Sequence, residues 1–262
     1  MASSALAKCS FCKKEEPSLK TCGFCKCAKY CNQECQAKGR PRHKALCNEI
    51  KAQRAVVDEK RAYLLENWFD GSEAKFEKSI GDFWPILDAR PYCRALRKLG
   101  TLWAKMAENE DDAKGFVLAK STFMELLRLT HKDNQNIKYL LPFILLELGE
   151  IERAFDFLKW WSWARRTKSD YQLDSDSKIK GKWWIPIVEN IFDDFFLFKL
   201  NGDSDVAYMM DNSTLLALVV TRFMMAEELR KGDADSSLVK RALAKNLKLE
   251  DVAGGQMQLF LK

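Results

Sequence analysis

Cys9 and Cys12 are separated by two residues, as are Cys22 and Cys25; Cys31 and Cys35 are separated by three, as are His43 and Cys47. A two-residue gap lets a tight turn aim two sulfurs at one ion, and a three-residue gap puts two ligands one helical turn apart on the same face. The first two pairs therefore read as knuckles and the last two as helix-borne pairs. Four pairs make two closed four-ligand zinc sites, structural in character and without an open position for catalysis. They can be combined in three ways, and spacing alone does not choose. Cys27 is spare: Cys22–Cys25 has the better gap, and Cys27 falls in a short strand expected over Lys26–Tyr30.

The elements that must hold these ligands are sparse. Phe11, Leu19, Phe24, Tyr30 and Leu46 are most of the apolar residues of the segment. Hydrophobic burial alone cannot fold it, so metal must supply the stability, and a strong chelator is expected to melt this module selectively. Eight of the nine cysteines crowd into this segment with metal-ligand spacing, and Met1 to Lys8 is too short and too weakly apolar for a secretory signal. A reducing compartment, cytoplasm or nucleus, is the expected location.

The order Cys-x2-Cys, nine residues, Cys-x2-Cys, five residues ending in Tyr30, Cys-x3-Cys, seven residues, His-x3-Cys, with Gln36 after Cys35, resembles a MYND-type zinc finger. The resemblance implies cross-bracing, with Cys9, Cys12, Cys31 and Cys35 on one zinc and Cys22, Cys25, His43 and Cys47 on the other. It also implies a protein-interaction role, with a groove between the short strands and the following helix that takes proline-containing peptides. Gln36 is then a candidate groove residue, against the plainer alternative of a solvated helix position. The chain departs from the family at Gly39 and Arg40, where an aspartate-tryptophan pair is usual; the metal ligands are untouched, but the tryptophan that helps form the groove is missing.

Charge is uneven along the chain. Residues 1–66 hold 14 Lys+Arg against 7 Asp+Glu. Basic excess beside a finger points to nucleic acid, but seven thiolates and two Zn2+ offset part of it, leaving about +4, and nucleic acid is disfavoured as a partner. With 47% apolar residues the remainder can bury a core, and no run is long and apolar enough to cross a membrane.

That remainder reads as α-helix. His43 to about Asn67 lacks Gly and Pro and is rich in helix formers. Gly71, Ser72, Gly81 and Pro85 mark a loop-rich stretch. Helices are expected at Tyr92–Glu108, Asp112–Leu129, Ile137–Leu148, Glu150–Trp163, Ile187–Leu197, Asn212–Arg230 and Ser236–Asn246, with a polar connection over 166–181. Pro142 calls for a kink or a later start in the third of these, and Gly149 for a C-terminal cap. Asp133-Asn134-Gln135, Leu145, Leu148-Gly149 and Glu152-x-Ala154 resemble a tetratricopeptide-type hairpin, without a period that continues on either side. Trp160, Trp161, Trp163, Trp183 and Trp184 are read as packing residues ahead of a partner-gripping surface, although the adjacent Trp160 and Trp161 cannot share one helix face.

The expected organisation is thus a small zinc-stabilised cross-brace module of short strands plus helix (1–50), a helical linker and loop-rich connection (51–90), and an all-α, helical-repeat-like domain (91–262). The expected function is a non-enzymatic adaptor binding two structural Zn2+ ions, with finger and helical domain each presenting a surface to proteins or proline-containing peptides. The rival is a lysine methyltransferase, because MYND fingers occur beside SET domains. That domain's Asn-His-Ser-type motif is not found: of two histidines, His43 is a metal ligand and His131 sits in Thr-His-Lys. There is no glycine-rich phosphate loop either. Cys93, beside Arg94 and Arg97, reads as a buried small residue, and Asp111-Asp112 and Asp193-Asp194 as helix caps or solvated acids.

Overall fold

The computed structural model describes residues 8–16, 18–151, 153, 154, 157 and 158. The chain divides into two units, Met1–Ile137 and Lys138–Lys262.

The first unit begins with two knuckles built alike. Lys13 N–H donates to the Cys9 carbonyl at 2.9 Å, and Lys26 N–H to the Cys22 carbonyl at 3.1 Å. Each turn closes on a lysine in the left-handed region, φ 61° at Lys13 and 60° at Lys26. Lys26 therefore cannot continue a strand, and the expected strand over 26–30 contracts to β2 (Lys29–Tyr30), antiparallel to β1 (Lys20–Thr21).

Helix α1 spans Gln33–Phe69. It starts well before His43, where the absence of glycine and proline placed its beginning. The Asn32 side chain accepts from Cys35 N–H at 2.9 Å and caps the first turn. Pro41 is carried inside the helix, where it removes one donor, so the Ala37 carbonyl lacks its usual i+4 partner. No break occurs at residue 50: α1 runs unbroken from the finger through about half of the stretch read as a linker. Its buried face repeats at helical spacing through His43, Leu46, Ile50, Gln53, Val57 and Leu64. Gln53, buried there, donates to the Ala95 carbonyl at 3.0 Å and ties α1 to the next long helix.

The loop-rich stretch contains a short helix, α2 (Glu73–Lys78), started by Ser72, whose hydroxyl accepts from Lys75 N–H. Its Phe76 joins Phe69, Phe83 and Tyr92 in an aromatic cluster with ring centroids 4.8–6.5 Å apart. Helices α3 (Arg90–Glu110) and α4 (Ala113–Leu129) follow, close to the expected bounds. They approach closely because glycines face them: a Cβ on Gly100 would lie 2.3 Å from the Phe123 ring, and one on Gly115 2.8 Å from Ala107. Gly100→Ala should therefore destabilise the unit by about 1–3 kcal/mol through overpacking, read as a lower midpoint in urea unfolding. Cys93 is fully buried in α3, and burial pushes its thiol up to about 12, the behaviour of an inert packing residue.

In the second unit the helix expected over Ile137–Leu148 is shorter. A 3-10 turn at Ile137–Tyr139 precedes α5 (Leu141–Glu147), which begins beside Pro142 because proline in the first turn costs no helix hydrogen bond. Gly149 ends it at φ 70°, with Glu150 N–H closing on the Leu145 carbonyl at 2.8 Å. Residues 151, 153, 154, 157 and 158 are helical, and Ala154 is buried. The first helix of the expected tetratricopeptide-type hairpin is thus seven residues long, and most of the second lies outside the described residues. The later helices, the polar connection and the five tryptophans lie outside the described residues. The strands among the described residues are confined to the finger, and no helix there is long and apolar enough to cross a membrane.

Candidate metal centre

The knuckles, Cys31 and the first turns of α1 bring the sequence-predicted ligands into two tetrads; Cys31, read as helix-borne, stands just ahead of the Asn32 cap, and only Cys35 of that pair is in the helix. Cys9, Cys12, Cys31 and Cys35 form one; Cys22, Cys25, His43 and Cys47 form the other. Within each, the ligand atoms all lie within 4.8 Å of one another. The donor sets fit zinc. Tetrahedral Zn–S bonds place two sulfurs about 3.8 Å apart, and a sulfur and an imidazole nitrogen about 3.6 Å apart. Cys12 Sγ and Cys31 Sγ lie at 3.4 Å, Cys22 Sγ and Cys47 Sγ at 3.9 Å, and Cys25 Sγ and His43 Nε2 at 3.6 Å. Each tetrad draws one pair from a knuckle and one from the α1 region, so the two sites interleave along the chain. Two structural zinc ions occupy such a module, and four protein ligands at each leave no open position for a substrate.

Cys27 belongs to neither tetrad. Its backbone N–H donates to Cys25 Sγ at 3.4 Å, and its own buried thiol donates to the Cys25 carbonyl at 3.3 Å. It supports a ligand without being one.

The second site has a partner that sequence reasoning missed. With Nε2 toward the tetrad, His43 directs Nδ1 at Glu110 Oε1, 2.9 Å away, and both side chains are buried. A carboxylate on the outer nitrogen fixes the tautomer and ring orientation of a metal-binding histidine and raises its basicity. Burial disfavours the charged form of Glu110, but hydrogen bonds from His43 and Ser10 and the nearby Arg42 charge outweigh it, holding the carboxyl below its ordinary value. Ser10 is itself locked in place: its hydroxyl accepts from Lys29 N–H at 3.1 Å, and its carbonyl accepts from Arg42 at 3.3 Å. Lys29 also pairs with Asp112, which caps α4 by accepting from Lys114 N–H at 2.8 Å. Asp111, between them, ends α3 in the left-handed region at φ 53°. The corner between α3 and α4 thus docks on the finger through two carboxylates. The capping role read for Asp111-Asp112 holds, while Glu110 stands 67 residues from His43, beyond the reach of any local pattern.

Gln36 lies in a groove of about 380 Å3 that opens onto the second site, between β2 and α1, with the ligands Cys22, His43 and Cys47 forming part of its lining. Tyr30, Gln33, Arg40, Lys44 and Asn48 also line it. Gly39 is there for close approach: a Cβ would sit 2.8 Å from the Tyr30 ring, which packs edge-on to His43 with centroids 6.4 Å apart.

Interleaved tetrads on two knuckles and one helix define a cross-braced, two-zinc finger. The MYND finger family model matches residues 9–47, from the first ligand to the last. Comparison with curated proteins finds no match, and comparison with solved structures finds none.

Proposed function

We propose that the chain is a non-enzymatic adaptor of the cell interior whose finger binds partner proteins through an extended peptide segment, with the α-helical remainder, read as repeat-like, offering a second surface. MYND fingers are typically protein-interaction modules. The observation that carries the reading is the groove holding Gln36 between β2 and α1. Closed metal sites support a scaffolding rather than a chemical role for the zinc. The test captures partners by proximity labelling with wild type, Cys31→Ser and Gln36→Ala. Cys31→Ser removes a ligand of the first site, whereas Gln36→Ala leaves both tetrads whole. Partners lost from both variants support the reading; identical partner sets from all three proteins contradict it. Stoichiometric S-adenosylmethionine binding by calorimetry would instead favour a methyltransferase.

A further inference from the structure

We infer that the groove between β2 and α1 selects extended peptides carrying aspartate or glutamate, read by Arg40 and Lys44. The inference rests on the reading of the finger as a peptide-binding module and specifies its partner.

Four cations stand on the opening turns of α1, and the structure divides them into two kinds. Lys38 pairs with Glu34 at 2.6 Å, and Arg42 donates to the Ser10 carbonyl at 3.3 Å. Arg40 and Lys44, one helical turn apart and exposed, line the groove without an acidic partner among the described residues. Further along, Lys51 and Arg54 lie over the Phe24 ring at 5.7 and 5.9 Å. The groove therefore keeps the two cations that no internal group engages. A chain laid along α1 would meet both, since i,i+4 side chains project from one face.

The rest of the lining suits an extended backbone. Gln33, Gln36 and Asn48 each present an amide that both donates and accepts. Ala37 forms part of the wall. Thiolates and Zn2+ put net negative charge on the metal sites, yet residues 1–66 retain about +4, so an anionic segment is attracted overall. Two cations beside three amides in a short groove match a peptide rather than a phosphate backbone, which is held by a longer run of cations.

The experiment uses the full zinc-loaded chain and two fluorescein-labelled peptide libraries, identical except for Asp and Glu at the central positions of one and Asn and Gln in the other. Fluorescence polarisation should show tighter binding of the acidic library, weakening as salt rises. Arg40→Glu and Lys44→Glu should each weaken it by about tenfold, with zinc content unchanged, because reversal turns attraction into repulsion. Lys78→Glu, an equal charge change on α2, should leave binding within about twofold. Equal loss from Lys78→Glu would overturn the assignment to these two residues. Neutral proline-containing peptides binding in preference would overturn the acidic selectivity while leaving the peptide-binding reading intact. Binding of none of the peptides would remove both. Tight, salt-dependent binding of duplex DNA that Arg40→Glu and Lys44→Glu abolish would make the groove a nucleic-acid site and overturn the inference.

Discussion

Glu110→Ala will lower the zinc affinity of the second site by about a hundredfold, and Glu110→Gln by about tenfold, measured by chelator competition on the full chain. The order follows from the contact. A glutamine oxygen still accepts from His43 Nδ1, so the ring keeps its orientation and only the charge is lost. Alanine removes both and strands a buried N–H, 2.9 Å from where its acceptor stood. The first site, all cysteine, should hold its zinc within about threefold of wild type in both variants. Cobalt substitution separates the sites, because only the second has a nitrogen ligand: its absorption bands should shift in Glu110→Ala while those of the four-cysteine site stay. Wild-type affinity at the second site in both variants would show that the carboxylate only packs there.

Stripping both ions should unfold the finger and disturb the corner that docks on it. Structural zinc supplies roughly 10–16 kcal/mol of apparent binding free energy in finger peptides, and a segment with so few buried apolar residues has little else to replace it. Residues 8–32 should lose amide dispersion by NMR after exhaustive chelation. The effect should not stop at the finger. Glu110 loses the ring N–H that hydrogen-bonds it and Asp112 the β2 lysine, so amides from Asp111 to Lys114 should shift as well. The aromatic cluster of Phe69, Phe76 and Phe83, and the Gly100–Phe123 contact, depend on no ligand and should persist. A finger that kept its dispersion without zinc would contradict this, as would a corner that did not respond.

The metal ligands were legible because metal chemistry is local: gaps of two and three residues are direct readouts of turn and helix geometry. The pairing of the four pairs was not, since it depends on how the knuckles fold back on α1; the family resemblance implied the arrangement that the fold then brings together in space. Helices α3 and α4 were legible from apolar spacing, with ends written by Pro91 and Asp112. The start of α1 was only half legible: the Cys31–Cys35 gap pointed to a helix there, but the unbroken run of helix formers begins only at His43, after Gly39 and Pro41. Helix α2 has six residues, too few to show a period. Glu110 could not be found at all by spacing. A histidine bound through one nitrogen calls for an acceptor at the other, but which of many carboxylates answers is decided by the tertiary fold.

The central claim, two closed zinc sites in one finger, is tested most directly by native mass spectrometry of the full chain, with Cys27→Ser as the control. The account gives two zinc ions per chain in both proteins. A single ion in the wild-type chain, or loss of an ion in Cys27→Ser, would contradict it.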